Sequence, residues 1–344
     1  MKKLVLGKTG LEVTRPAFGV LPLQRVPMKE AVEILQKAYD YGINYYDSAN
    51  GYSDSEEKIG NAFSGGRREN VIISTKSGGK DKATVTTHIE LSLRHLQTDY
   101  IDILQLHNPS VLPDPNDSES SYAALVEAKE KGYIRHIGIT NHSLANAKAA
   151  IDSGLYETLQ FPFSYLASQE DLDLVAKCKS LNIGFIAMKG LAGGLLTNAR
   201  VCAAFMEQFD NVAPIWGIQR MSELEEWVAL AQEDLTMTDE IAQIISEDNQ
   251  TLGGNFCRAC GYCAPCPVGI EINTAARMKF LLLRSPYLRM LSEESNQKMH
   301  LIDDCLNCRV CVSRCPYSLE IPALLKEMLS FYDEFRLEHI NELV

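Results

Sequence analysis

The chain has 344 residues, 46% hydrophobic and 23% charged, a balance too apolar for a disordered protein and a length that allows a sizeable core. No apolar run reaches the roughly 18 residues that a membrane span needs. The formal net charge of −12 argues against nucleic acid as a partner. The first residues, MKKLVLGKTG, lack the apolar stretch of a secretion signal, so the expected location is the cytoplasm.

In chain order, RPAF before Gly19 reads as a first strand, and MKEAVEILQKAYDYG follows as an amphipathic helix. INYYD is a strand ending at Asp47. Further strands end at Thr75 (VIIST), Leu106 (IDILQL), Ile139 (IRHIGI), Gln160 (ETLQ), Met188 (GFIAM) and Ile215 (VAPI). Helical patterns separate them; SLANAKAAIDSG opens on Ser143 as N-cap and closes on Gly154. The stretch TNARVCAAFMEQFDN is short, which predicts an abbreviated seventh helix. Strand–helix alternation repeated about eight times predicts an α/β fold, a (β/α)8 barrel. An open doubly wound sheet is the alternative. It ordinarily carries a G-x-G-x-x-G turn, and no two of the 22 glycines are separated by a single residue.

Beyond about residue 250 the strand signals stop, and the remainder is cysteine-rich and otherwise helical. This divides the chain into a barrel over 1–248 and a second domain over 249–344, with Asn249 to Asn255 (NQTLGGN) as the linker. Residues 250–344 carry 10 basic and 11 acidic side chains, so nearly all the net negative charge belongs to the barrel.

Of ten cysteines, eight fall between Cys257 and Cys315, and they form an internal repeat. CRACGYCAPCPVGIEIN recurs as CLNCRVCVSRCPYSLEIP, three cysteine pairs being offset by 48 residues and the fourth by 49. The second copy reads C-x2-C-x2-C-x3-C-P, the run with which bacterial ferredoxins bind [4Fe–4S] clusters. Three cysteines at i, i+3 and i+6 can reach three corners of a cubane, and in two-cluster ferredoxins the fourth ligand comes from the other run. The expected sets are therefore Cys257, Cys260, Cys263 and Cys315 for one cluster, and Cys305, Cys308, Cys311 and Cys266 for the other. Pro267 and Pro316 would turn the chain just after each crossing ligand. Structural zinc sites and disulfides are the alternatives, but zinc ribbons use separated C-x2-C pairs rather than triplets followed by Cys-Pro. The insert between the runs, TAARMKFLLLRSPYLRMLSEESNQKMH, reads as helix, turn at Ser285-Pro286, and helix, the helical type of ferredoxin-like domain. Cys178 and Cys202 stand singly in helical stretches and read as core residues.

Barrel enzymes place their working residues just past the C-terminal ends of the strands. Those positions hold Asp47, Lys76, His107, Asn141, Gln160 and Lys189, with Tyr52 in the loop after Asp47. A lysine ammonium beside a phenol favours phenolate, and a carboxylate holds that lysine in place. Such a tyrosine can protonate a carbonyl oxygen, and a neutral histidine can orient the same oxygen.

In YYDSANGYSDSEEKIGNAF, VIISTK, LRHLQTDYIDILQLHNP and GYIRHIGITNHS, in that order, the chain resembles the aldo/keto reductases. The resemblance implies a catalytic tetrad at Asp47, Tyr52, Lys76 and His107. It also implies that Thr140, Asn141 and Gln160 hold a nicotinamide carboxamide, with Phe163 stacking on the ring. The loop KGLAGGLL, with Lys189, Gly190, Leu191 and Gly193, would cover the pyrophosphate. The segment IWGIQRMSELEEW would bring Gly217 and Arg220 to the nucleotide. Glu223 and Trp227 stand where the family usually has an Arg for the 2′-phosphate of NADP and an Asn for the adenine, so the expected cofactor is NADP or NAD.

Together these readings describe an NAD(P)H-dependent reductase of a small-molecule carbonyl substrate joined to a two-cluster [4Fe–4S] electron-transfer module. The competing class is an electron-transfer or redox-sensing protein whose barrel is a docking or ligand-sensing scaffold without turnover. A nicotinamide exchanges two electrons at once and each cluster one. The clusters are therefore structural or sensing, serve a separate redox partner protein, or feed substrate directly.

Overall fold

The computed structural model describes residues 1–252, 256–284 and 287–342. Eight parallel strands close into a barrel, in the order β10, β3, β4, β5, β6, β7, β8, β9. They are β3 (Ala17–Gly19), β4 (Tyr45–Asp47), β5 (Ile72–Ser77), β6 (Ile101–His107), β7 (Ile134–Thr140), β8 (Thr158–Pro162), β9 (Gly184–Met188) and β10 (Val212–Gly217). Each is the strand expected at that place in the sequence. Ahead of them lies an antiparallel hairpin, β1 (Lys2–Val5) and β2 (Glu12–Arg15), which the strand–helix alternation does not announce. Its Leu4 and Val13 pack with Leu6 against barrel residues such as Ala17 and Tyr45, the first residues of β3 and β4.

Helices α1 (Met28–Asp40), α2 (Ser55–Phe63), α3 (Lys82–His95), α4 (Ser121–Glu130), α5 (Leu144–Asp152), α6 (Gln169–Ser180), α7 (Ala199–Glu207) and α8 (Met221–Leu230) connect the strands. Their starts follow capping chemistry: Ser143 accepts from the Asn146 N–H at the head of α5, and Ser168 and Asp171 cap α6 reciprocally. Gly154, at φ +70°, ends α5 where a side chain would strain the left-handed turn. The seventh helix is a nine-residue element. Cys178 and Cys202 are buried on α6 and α7.

The chain forms two compact units that do not follow its order. One is Met1–Gly190 with Arg200–Ala242; the other is Leu191–Ala199 with Gln243–Val344. The expected linker is partly helical instead. Helix α9 (Asp239–Leu252) carries apolar residues at 241, 244, 245 and 252, a helical spacing that buries Ile241 and Leu252. It takes in residues 249–252 and the 248/249 boundary, and 253–255 lie outside the described residues.

The second unit continues with α10 (Ile272–Ala275), α11 (Met278–Arg284), α12 (Glu293–His300), α13 (Val310–Ser313) and α14 (Ile321–Glu338), and no strand follows β10 among the described residues. The expected turn at Ser285-Pro286 lies outside the described residues. The core of this unit joins Cys257 and Cys263 to Ile272, Leu282, Leu325 and Tyr332. The sequence repeat is also a backbone repeat. Left-handed residues recur as Ala259 and Asn307 (φ 53° and 48°), Gly261 and Arg309 (82° and 58°), and Gly269 and Ser318 (84° and 51°). Glu271 and Glu320 precede α10 and α14 with the same φ −75° and ψ 70°.

Candidate active site and cysteine clusters

Strand register sets the rim of the barrel. Lys76 pairs with Gln105, whose partner on β7 is Gly138, while His107, Thr140 and Gln160 pair in a second row two residues nearer the C-terminal strand ends. Gly138, one turn of the pleat below Thr140, has no room for a side chain. A Cβ there would stand 2.2 Å from Thr158 Oγ1 and 2.9 Å from Gln105 Cγ.

Lys76 Nζ lies 2.6 Å from Asp47 Oδ2 and also donates to the Ser48 carbonyl. Both charged groups are buried. Burial pushes the Asp47 carboxyl above its ordinary value and the Lys76 ammonium below its own, and each partner's charge opposes the other's shift. The ammonium stands 5.4 Å from the centroid of the Tyr52 ring. That ring meets His107 edge-on, centroids 5.7 Å apart at 80°. Burial, and secondarily the Lys76 charge, bring the His107 pKa down to about 3, so the imidazole is neutral near neutral pH. The side chains at these four positions thus lie together.

Three further polar groups support them. Gln105 donates to Ser74 Oγ and Gln160 Oε1, both at 2.8 Å, and at 3.4 Å to Asp47 Oδ1. Its place two residues before His107 puts it on the same strand face, the signal by which it could have been found. Glu56, buried on α2, accepts from Thr75 Oγ1 at 2.5 Å, and its charge supports that of Lys76. The backbone of the loop after β4 is anchored to β5 by Ser48 N to Ser74 O (2.8 Å) and Asn50 N to Lys76 O (3.0 Å).

The residues expected on the carboxamide have structural partners as well. Gln160 Nε2 donates to Asp47 at 3.3 Å. Asn141 accepts from Ser143 N and donates to the Pro109 carbonyl, tying two rim loops together. Thr140 Oγ1 accepts from Asn108 N at 3.0 Å and keeps its own O–H to donate. Phe163 is 2% exposed, nested among Phe185, Phe205 and Phe209. Lys189 is left-handed (φ +60°), and Gly190 lies against Trp216, where a Cβ would stand 2.5 Å from the indole. Trp227 is stacked on that indole, centroids 3.9 Å apart. Gly217 sits against Pro22. Arg220 is exposed and held by Glu223 through Nε (2.9 Å) and Nη2 (2.6 Å), while the other Glu223 oxygen caps the backbone N–H of Gln219 and Arg220.

Leu191 and Gly193, grouped in sequence with Lys189 and Gly190, belong to the C-terminal unit. The Gly193 carbonyl accepts from Arg277 at 2.7 Å and the Leu195 carbonyl from Arg284 at 3.1 Å, while Leu195 and Leu196 are buried.

In that unit the cysteines gather in two groups. The Cys263 thiol is pushed up to about 12 by burial and by the neighbouring Cys257, Cys260 and Cys315. Cys305, Cys308, Cys311 and Cys266 line one cavity with Cys263, Pro265, Pro267 and Leu325. Each group draws three cysteines from one run and the fourth from the other. All ten cysteines are unbridged. Among the described residues no three His, Cys, Asp or Glu side chains converge as a single ion requires. Thiolates around a cubane stand farther apart, each on its own iron. The cavity lined by Cys266, Cys305, Cys308 and Cys311 fits such an iron–sulfur core.

Comparison with known proteins agrees with both halves. The aldo/keto reductase family profile matches residues 3–252, and a 4Fe-4S dicluster domain profile matches residues 256–320. The chain is 26% identical over 259 residues to the uncharacterized oxidoreductase YqkF of Bacillus subtilis, covering 71% of this chain and 83% of that protein. It is 27% identical over 226 residues to the NADH-specific methylglyoxal reductase of Escherichia coli, covering 57% and 69%. In fold it is similar to aldo-keto reductase AKR11C1 of Bacillus halodurans in its holo form, with a TM-score of 0.64 at 24% identity over 72% of this chain and 96% of that one. Since the first profile spans well over half of its length, the chain belongs to the aldo/keto reductase family, and it carries a 4Fe-4S dicluster domain later in the sequence.

Proposed function

We propose that this protein reduces an aldehyde or ketone with NADPH or NADH, and that its C-terminal unit holds two [4Fe–4S] clusters. The carrying observation is the buried Asp47–Lys76 pair beside the Tyr52 ring, with a neutral His107 at the ring's edge. A bound nicotinamide supplies the hydride for the carbonyl carbon. Tyr52 gives the proton to the carbonyl oxygen, so that an alcohol results. Lys76 stabilises the phenolate left on Tyr52, Asp47 keeps Lys76 charged in a dry site, and His107 orients the carbonyl by a hydrogen bond.

Thr140, Asn141 and Gln160 would meet the nicotinamide carboxamide, and Gly217 and Arg220 the rest of the nucleotide. With Arg220 engaged by Glu223, nothing strongly favours a 2′-phosphate, and NADH is an equal candidate. Cys257, Cys260, Cys263 and Cys315 would hold one cluster and Cys305, Cys308, Cys311 and Cys266 the other, supplying one-electron steps to a redox partner protein. Such labile centres suit a reducing compartment such as the cytoplasm. Among the described residues no helix is long and apolar enough to cross a membrane.

One observation favours the second reading, a barrel that serves as a ligand-sensing scaffold without turnover: the stretch Leu191–Ala199 is part of the C-terminal unit. Anaerobic purification with iron and sulfide analysis, then titration with NADPH and NADH, tests both halves. About eight irons per chain are expected. Tyr52→Phe should lower carbonyl reduction by about 100-fold or more while nucleotide binding persists. Nucleotide binding with no reduction of any carbonyl by the native enzyme favours the scaffold. An unchanged rate in Tyr52→Phe overturns the tetrad reading.

A further inference from the structure

The two cysteine runs share a backbone pattern but not their cations: the first contains Arg258, the second Arg309 and Arg314, and the residues that follow them differ in how deeply their charge is buried. Arg277 and Lys326 occupy equivalent places, each eleven residues after the last cysteine of its run. Lys326 is exposed, whereas Arg277 is half-buried. The Arg277 guanidinium donates from Nε to the Asn273 carbonyl (3.0 Å) and from Nη1 to the Gly193 carbonyl (2.7 Å). Among the described residues its acceptors are carbonyl oxygens, not a carboxylate. Arg309, by contrast, lies beside the other run and is neutralised by both oxygens of Glu320 at 2.9 Å.

The Arg277 charge is also close to the first run. A Cβ on Gly193 would stand 3.1 Å from Arg277 Nη1 and 3.2 Å from the Cβ of Ala259, which with Arg258 separates Cys257 from Cys260. The guanidinium is thus held against the binding run by a loop that has no spare volume. Reduction adds one negative charge to a cluster. A fixed, partly desolvated cation nearby stabilises that charge, while a cation in water at the equivalent place is screened.

We propose that Arg277 compensates the charge of the cluster held by Cys257, Cys260, Cys263 and Cys315, making it the more easily reduced of the two. This rests on the two-cluster reading. Arg277 acts as a positioning and charge-bearing residue for the cluster, and the same side chain fixes the Leu191–Ala199 loop.

The test is a potentiometric titration of the full-length, anaerobically prepared protein, followed by electron paramagnetic resonance, for the native chain, Arg277→Gln, Arg277→Lys and Lys326→Gln. The expected result is a lower potential for one cluster in Arg277→Gln and none for the other, with Arg277→Lys restoring most of the difference and Lys326→Gln changing neither. Equal shifts of both clusters, or no shift, overturn the proposal. Where Arg277→Gln does not retain both clusters, Gly193→Ala replaces it: an added methyl crowds the guanidinium without removing its charge, and it too must lower the potential of one cluster alone. A native chain with about four irons or fewer refutes the two-cluster reading itself, and the iron count separates that failure from a failure of the Arg277 assignment.

Discussion

Asp47 Oδ2 and Lys76 Nζ meet at 2.6 Å in a place where neither group would hold its charge alone. Removing the carboxylate charge therefore strands an ammonium in a dry rim. Asp47→Asn is expected to cost about 3–5 kcal/mol of stability near pH 6. Burial already lowers the Lys76 pKa, and without Asp47 it falls further. The folded state then binds fewer protons than the unfolded state below the ordinary lysine pKa, so the variant's stability recovers as pH rises toward about 10. Urea unfolding at several pH values measures both effects. A variant equally stable at pH 6 and pH 9 contradicts them.

His107 carries a pH dependence of its own. Its folded pKa is about 3, against an ordinary value of 6.5. The unfolded chain thus takes up a proton that the folded rim refuses, and stability falls as pH drops from about 6.5 toward 3. The ring is partly exposed, so the loss is no more than a few kcal/mol. His107→Gln should flatten this acid limb in urea titrations between pH 7 and pH 4, while above pH 7 the slope stays as in the native protein.

Gln105 holds Ser74, Gln160 and Asp47 in one network. Gln105→Leu leaves those buried acceptors short of a donor, at an expected cost of about 1–3 kcal/mol. The catalytic effect should fall on kcat more than on KM, since the side chain acts through Asp47. Thermal unfolding with steady-state kinetics checks the pair of expectations, and an unaltered kcat would count against the network's role.

Glu223 restrains Arg220, a residue proposed to meet the nucleotide. Glu223→Gln should release Arg220 and raise kcat/KM for NADPH relative to NADH, and Arg220→Ala should lower the same ratio. Both side chains lie toward solvent, so the change is severalfold and shrinks with added salt. A ratio that does not move in either variant removes Arg220 from nucleotide selection.

The two cysteine groups differ in access. Cys308 is exposed, whereas Cys257 and Cys263 are buried in the hydrophobic core of their unit. An iron chelator should therefore strip the Cys308 cluster first, leaving a species with about half the iron and one paramagnetic centre on reduction. Simultaneous loss of all the iron would show that access does not differ.

The barrel was legible because each strand is a short β-branched or apolar run closed by a helical pattern. Strand ends were less so: β5 continues two residues past Thr75 to Ser77, and β10 two past Ile215 to Gly217, where no turn residue marks the expected stop. The hairpin of β1 and β2 escaped because two four-residue strands outside the barrel carry too little periodicity. The rim positions of Asp47, Lys76 and His107 followed from strand ends and Tyr52 from the loop after β4, but Gln105 and Glu56 support them from behind and have no motif of their own. The placement of Leu191–Ala199 could not be read locally, because the donors that hold it, Arg277 and Arg284, lie 84 and 89 residues away from the carbonyls they bond. The cysteine repeat was legible because its two copies keep an offset of 48 or 49 residues, and the left-handed backbone positions keep it too.

The excursion of Leu191–Ala199 has a practical consequence for anyone who would divide the molecule. No single cut yields two complete pieces. A chain ending at Ala242 keeps nine residues whose hydrogen-bond donors, Arg277 and Arg284, have been removed. A fragment starting at Gln243 lacks the stretch that contributes the buried Leu195 and Leu196. Truncation would therefore leave apolar surface on one piece and unfilled space in the other, a recipe for aggregation.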